Sequence, residues 1–67
     1  MNYFELPGGA LVNLDQAFSV KILGNGDYNI QVQGQGGTMV MSSKLSKAET
    51  LRVVKDIKRR CGIKVYD

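Results

Sequence analysis

The sequence predicts an α+β fold in which an antiparallel β-meander of about five strands is covered on one face by a single C-terminal helix. Two patterns indicate this fold. Apolar and polar residues alternate through positions 2–43, and turns rich in glycine interrupt the alternation. A helical pattern with its own start signal follows at positions 46–61, and a short tail remains at 62–67. The whole chain, 1–67, is short enough to form one domain.

The first predicted hairpin joins residues 3–6 to residues 10–14 through a loop that contains two glycines. Glycine supplies the positive φ that a tight loop needs, so a three-residue loop is expected to pair Leu6 with Ala10. An Asx turn at residues 13–16 then ends the hairpin. This register places on one face the apolar residues Phe4, Leu6, Ala10, Val12 and Leu14.

Residues 17–23 and 28–33 predict the third and fourth strands, because apolar side chains alternate with polar ones in both. A two-residue loop between them sets Ile22 opposite Asn29 and mixes the two faces. A three-residue loop sets Ile22 opposite Tyr28 and keeps the faces distinct. We therefore predict the three-residue loop, with Gly26 in the left-handed conformation.

The fifth strand is predicted at residues 38–42, after the glycine-rich turn at 34–37. Pairing Gln33 with Thr38 aligns Val32 with a methionine and assigns both methionines of this strand to the core. The predicted core face comprises Phe18, Val20, Ile22, Tyr28, Ile30, Val32, Met39 and Met41. The opposite face comprises Ser19, Lys21, Asn29, Gln31, Gln33, Thr38, Val40 and Ser42. The alternation resumes at residues 63–66, which are compatible with a short edge strand.

The helix is predicted to begin at a capping box, in which Ser46 and Glu49 each satisfy an N–H group of the first turn. Its apolar stripe, at helical spacing, is Leu51, Val54, Ile57 and Cys61. Leu51 is expected to be the central contact with the sheet. Gly62 is expected to end the helix in the left-handed conformation.

The composition indicates that the chain is not an enzyme. It contains no histidine, and no two acids are spaced as an evident catalytic pair. Cys61 lies on the apolar stripe at a helix C-terminus, where the dipole disfavours a thiolate, so we interpret it as a small core residue. The glycine-rich turn at 34–37 precedes no helix and lacks the amides that hold a phosphate. No catalytic residue, cofactor or metal site is therefore predicted.

The positive charge is concentrated in the last third of the chain. Residues 44–64 hold eight Lys or Arg against two acids, whereas residues 1–43 hold one Lys against three acids. No apolar run approaches the roughly 18 residues of a membrane span, and no signal-peptide pattern opens the chain. A single cysteine allows no internal disulfide. A cytoplasmic protein without a membrane partner is the simplest prediction.

Two surfaces are candidate partner sites. The first, the cationic helix face, consists of Arg52, Lys55, Lys58, Arg59 and Arg60. Such a cluster suits an acidic protein surface or the phosphates of nucleic acid, and it also suits an ordinary solvated helix face. The second, the amide row, consists of Asn29, Gln31 and Gln33 on the polar sheet face. That face lacks the stacking aromatics of proteins that bind single-stranded nucleic acid.

The fifth strand is also a candidate edge for self-association, through Thr38, Val40 and Ser42. It carries neither a charge nor a proline that would block pairing with another strand. A domain of this size buries only about 60% of its unfolded surface, so a second copy would stabilise it. A homodimer is the expected result. The alternative is that the tail at 63–66 pairs with the fifth strand and leaves a monomer.

The first hairpin also carries a resemblance. The run LPGGALVNLD at 6–15, followed by an alternating strand, a glycine hairpin and a Ser-x-x-Glu helix, resembles many small uncharacterised proteins of bacteria and their phages. The resemblance implies a bacterial or phage origin and supplies no catalytic residues. By analogy, it favours a non-catalytic interaction module, an accessory or inhibitor protein that docks on another protein. The alternative is a nucleic-acid-binding protein that uses the cationic helix face.

Overall fold

The computed structural model describes residues 2–66, so positions 1 and 67 of the predicted domain and tail lie outside it. The predicted α+β class is confirmed, with a helix packed on a sheet. The strands are β1 (Tyr3–Glu5), β2 (Leu11–Asn13), β3 (Ala17–Asn25), β4 (Asp27–Gly34), β5 (Met39–Met41) and β6 (Lys64–Tyr66), and the helix is α1 (Lys47–Arg60).

The strands form two sheets rather than one continuous meander. β1 and β2 pair only with each other, and the second sheet has the order β5-β4-β3-β6. β6 runs parallel to β3 and occupies the edge that a meander would give to β2. The tail therefore pairs with β3 and not with β5, which remains an edge of the four-stranded sheet.

The register of the first hairpin is as predicted. The N–H of Leu6 donates to the carbonyl of Ala10 at 2.8 Å, and Phe4 lies opposite Val12. Leu6, Val12 and Leu14 are buried, and Phe4 packs against them. The alternation of this short hairpin thus places its apolar face on the core.

The β3–β4 hairpin has a tighter turn than predicted. Ile22 lies opposite Ile30, and the strands stay paired up to Asn25 and Asp27. Two glycines with positive φ, one on each side of Asn25, allow this turn. The predicted pairing of Ile22 with Tyr28 is wrong by two residues, a shift that leaves these two side chains on their predicted face.

The register of β5 differs from the prediction by one residue, which exchanges the two faces of the strand. Val32 lies opposite Val40, and the N–H of Gly34 donates to the carbonyl of Thr38 at 2.9 Å. The loop is therefore the three-residue segment Gln35–Gly37. Met39 and Met41, predicted in the core, are 55% and 45% exposed. Val40 and Ser42, predicted on the polar face, are half-buried and buried.

Phe18, in β3, also lies on the opposite side of the sheet from its predicted one. The register of β3 against β4 shifts between Ala17 and Ser19, which makes Phe18 a bulge residue without a partner on β4. Its ring is exposed, although the alternation predicted it in the core. A bulge adds one residue to a strand, so alternation cannot be extrapolated across it.

The start of α1 is as predicted. The Ser46 hydroxyl accepts from the Glu49 N–H at 3.3 Å, and the Ser46 N–H donates to the Glu49 carboxylate at 3.2 Å. The Ser46 N–H and the Ser46 hydroxyl, which donates to the same carboxylate at 2.9 Å, lower the pKa of Glu49 because both hydrogen bonds stabilise its charged form. The capping box therefore anchors the first turn of the helix.

The buried stripe of α1 is rotated from the predicted one. Val54 and Ile57 are buried as expected, but Thr50 is buried with them and Leu51 is 58% exposed. The Thr50 hydroxyl donates to the Ser46 carbonyl at 2.8 Å, so its burial leaves no unpaired polar group. The prediction of Leu51 as the central sheet contact is wrong.

The end of α1 also differs from the prediction. Cys61 is extended (φ −151°, ψ 149°), and Gly62 does not have a positive φ. The chain leaves the helix in an extended conformation and reaches β6 after the three residues 61–63. The predicted left-handed cap at Gly62 is therefore wrong.

One hydrophobic core joins the helix, the β1–β2 hairpin and the four-stranded sheet. Its fully buried members include Leu6 of the hairpin, Ile30 of the sheet and Ile57 of the helix. Helix and hairpin thus pack on the same face of the sheet. The other face carries exposed side chains, among them Lys21 and Tyr66, so the prediction that this face lacks an aromatic side chain is wrong at Tyr66.

Candidate functional site

The centre of the cationic helix face, Arg52, Lys55 and Arg59, lies on the side of α1 that is opposite the core, and Lys58 and Arg60 lie at its edges. Arg52 and Arg59 are seven residues apart, and at about 100° per residue they point in nearly the same direction, away from buried Ile57. Lys55 and Lys58 are also exposed. Among residues 2–66 the one ion pair joins Arg59 to Asp56 at 3.7 Å, and it is exposed to solvent. An exposed pair of this kind contributes little to stability, so these side chains remain able to meet a partner's charges.

Arg60 differs from the other four members of this face. Its guanidinium carbon lies 5.2 Å from the centre of the Phe4 ring, which is a cation–π contact between the end of α1 and β1. Arg60 is still exposed. Its contact with Phe4 ties the helix to the hairpin, so its substitution would affect packing as well as charge.

The amide row is half-buried and engaged in cross-strand contacts. The Asn29 side chain donates to the Ser42 carbonyl at 3.0 Å, and the Gln33 side chain accepts from the Ser19 hydroxyl at 3.2 Å. The Gln31 amide lies 2.9 Å from the Met39 sulfur, a weak acceptor. These three amides are less available to a partner than the sequence predicted, because each already has a neighbour in the sheet.

The outward edge of β5 is formed by residues other than those predicted. The backbone carbonyl of Thr38 accepts a hydrogen bond from β4, and the Ser42 N–H donates one to β4. The backbone N–H and C=O groups of the even-numbered residues in this segment therefore point towards β4. Ser42 is buried, and its hydroxyl accepts from the Ile30 N–H at 2.8 Å. The outward N–H and C=O groups belong to Met39 and Met41. The predicted edge set of Thr38, Val40 and Ser42 is therefore wrong.

Self-association through β5 stays a prediction, but this register changes its test. Met39→Pro removes an outward N–H and is expected to prevent pairing of two copies, whereas Val40→Pro would break the ladder to β4. Light scattering from roughly micromolar to millimolar concentration measures the effect. The parent should exceed its monomer mass of 7.4 kDa at high concentration, and the variant should not. A parent that stays at monomer mass throughout would remove the idea.

A groove, here called the Leu51 groove, lies between the first turns of α1 and the β3–β4 hairpin. Its volume is about 280 Å³, and it is lined by Ile22, Gly24, Tyr28, Lys47, Thr50 and Leu51. The sequence does not indicate this groove, because the helical spacing predicts that Leu51 lies in the core. The one signal was the helical position of Leu51, about 100° from Thr50 and at the margin of the stripe.

In residues 2–66 no three His, Cys, Asp or Glu side chains lie close enough together to hold a metal ion. Cys61 is a free, half-buried thiol whose sulfur lies 3.6 Å from the Ile57 carbonyl. The helix that the structure describes is too short and too polar to cross a membrane.

No family model, no curated protein and no solved structure matches this chain. The resemblance to small bacterial and phage proteins therefore stays a prediction.

Proposed function

We propose that the chain is a non-catalytic interaction module, a small bacterial or phage accessory or inhibitor protein, that docks on an acidic surface of another protein through the cationic helix face. The observation that supports this function is the set of four exposed cations on α1, Arg52, Lys55, Lys58 and Arg59, with Asp56 as their one ion-paired acid among residues 2–66. Charged groups arranged in this way steer a partner of opposite sign and fix its orientation.

The helix is held firmly enough to present these charges at constant spacing. Its N-terminus is capped by Ser46, and its inner side is anchored through Val54 and Ile57. A preorganised surface loses less conformational entropy on binding than a flexible one. The cations therefore form a defined pattern and not a mobile charged tail.

The Leu51 groove favours a protein over a nucleic acid as the partner. Nucleic acid would use the same cations, but proteins that bind single strands add aromatic side chains on which bases stack. The exposed aromatics Tyr3, Phe18 and Tyr66 belong to the strands and not to α1. Beside the cations lies an apolar groove instead, and a protein partner can fill it with a side chain.

Arg52→Glu with Arg59→Glu is expected to abolish partner binding and leave the fold intact. Both side chains are exposed, and an exposed charge contributes at most about 1 kcal/mol to stability. Two reversed charges would repel an acidic partner. The measurement is a pull-down from bacterial lysate, quantified by mass spectrometry, with circular dichroism to verify folding.

Lys21→Glu with Lys64→Glu is the matched control. It changes the net charge by the same amount, but on exposed side chains of the sheet, outside α1. This control should retain the partner. If both double variants lose the same proteins to the same degree, the capture depends on net charge alone and the helix is not the docking surface.

A salt titration tests the nucleic-acid alternative. The parent is titrated against generic single- and double-stranded DNA and RNA at increasing salt. Binding to phosphates weakens steeply with salt because counterions are released, so a steep slope would favour the alternative. No binding near about 100 mM salt would remove it.

A further inference from the structure

The Leu51 groove has apolar walls, and the threonine hydroxyl that lines it already donates a hydrogen bond to the backbone. Ile22, Tyr28 and Leu51 provide apolar surface, and the Thr50 hydroxyl is hydrogen-bonded to the Ser46 carbonyl. Its volume of about 280 Å³ lies at the lower limit of the range of about 300–1,000 Å³ that is typical of small-molecule and cofactor sites. The small size and the apolar lining suit one large side chain.

Three lysines surround Leu51 on the same flank of α1. Lys47, Lys55 and Lys58 lie four residues before, four after and seven after Leu51, positions that share one side of a helix. All three are exposed, and none is ion-paired within residues 2–66. Asp27 adjoins the lining residue Tyr28 but is not part of the lining. A ligand centred on this groove therefore needs negative charge around an apolar group.

We propose that the Leu51 groove receives one large apolar side chain from an acidic segment of the partner protein, whose carboxylates meet Lys47, Lys55 and Lys58. The inference rests on the proposed function and names the kind of segment that docks. Lys58 lies about 10 Å from Leu51 along the helix axis, a distance that about three extended residues span. A short segment can thus place its apolar side chain in the groove and an acidic residue, a few positions away, at Lys58.

Other occupants fit these observations less well. A second copy of this chain carries more cations than acids, nine against six, so it offers poor charge complementarity. Nucleic acid supplies the negative charge but no apolar side chain. A lipid surface is approached by a protruding apolar face, whereas this apolar surface is concave.

The test uses two fluorescein-labelled synthetic peptides and fluorescence anisotropy. One peptide has a single phenylalanine between acidic residues, and the other has alanine in its place. The phenylalanine peptide is expected to bind the parent about tenfold more tightly, because it buries an aromatic ring in the groove. Leu51→Ala should remove this preference and leave the weaker attraction of both peptides to the lysines. Leu51→Met, which keeps the apolar volume, should restore it.

Charge is tested by a second matched pair of variants. Lys47→Gln should weaken both peptides several-fold, and Lys64→Gln, an exposed lysine on β6, should weaken neither. The proposal is overturned if the parent binds the two peptides equally or binds neither at millimolar concentration. It is also overturned if Leu51→Ala abolishes binding to phosphatidylserine vesicles while the peptides are not distinguished, because the groove would then serve a membrane surface.

The two proposals can fail separately. If the two peptides bind equally and the Arg52→Glu, Arg59→Glu variant loses its partner, the proposal for the groove is rejected. The proposal that the cationic helix face is the docking surface is then retained. If the parent clearly prefers the phenylalanine peptide and the Arg52→Glu, Arg59→Glu variant retains its partner, Arg52 and Arg59 are rejected as docking residues. The proposal for the groove is then retained.

Discussion

Ile57→Ala is expected to lower the free energy of unfolding by about 2–5 kcal/mol, the usual cost of truncating a large buried aliphatic side chain. Ile57 is 0% exposed and lies in the core that the helix, the hairpin and the sheet share. Domains have a total stability of about 5–15 kcal/mol, and one of 67 residues has a small core. The loss is therefore a large part of the whole. Urea denaturation followed by circular dichroism measures it as a shift of the midpoint.

Leu51→Ala is the matched control on the same helix. It removes an aliphatic side chain of the same size from a position that is 58% exposed, so it should cost less than about 1 kcal/mol. If Leu51→Ala proves as destabilising as Ile57→Ala, the helix packs through the stripe that the sequence predicted and not through Thr50.

The features predicted correctly depend on short-range signals. The capping box at Ser46 involves residues three apart, and the pairing of Leu6 with Ala10 follows from a single loop. In both, local chemistry selects one geometry among few. The exposure of Arg52 and Arg59 was also predictable, because an unpaired charge is costly to bury wherever it lies.

The register of β5 could not be decided from alternation. Met39, Val40 and Met41 are three consecutive apolar residues, so either one or two of them can face the core. The glycine-rich turn before them accommodates loops of three or four residues, because glycine adopts many backbone conformations. A slip of one residue separates the two choices and exchanges the faces. The hydrogen bonds of Gly34 with Thr38 and of Ser42 with Ile30 distinguish them in the structure.

The sequence does not predict the rotation of α1, because the predicted stripe consists of apolar residues alone and so leaves out Thr50. Thr50 can be buried since its hydroxyl bonds to the backbone one turn earlier, and its burial turns Leu51 outward. The error concealed the Leu51 groove, which requires Leu51 to be exposed. The parallel pairing of β6 with β3 was also missed, because the two strands are distant in sequence and no local pattern links them.

Gly24→Ala is expected to be more damaging than an alanine at any other glycine of residues 2–66. Gly24 has a φ of 115°, where a side chain costs about 1–3 kcal/mol in backbone strain. A β-carbon there would also overlap the carbonyl oxygen of Asp27 and lie 3.2 Å from the α-carbon of Tyr28, its partner across the hairpin. Backbone atoms cannot move aside without opening the β3–β4 pairing, so a further loss of about 1–3 kcal/mol is expected.

Gly26→Ala separates the strain from the overlap. Gly26 has a similar φ of 102°, but a β-carbon at this position meets no atom within 4 Å. It should therefore lose only the strain contribution, and its urea midpoint should lie between those of the parent and Gly24→Ala. The three-residue loop that the sequence predicted requires the opposite order, because it depends on positive φ at Gly26 alone. Equal midpoints for the two variants would contradict the close approach of β3 and β4 at Gly24, and a lower midpoint for Gly26→Ala would restore the three-residue loop.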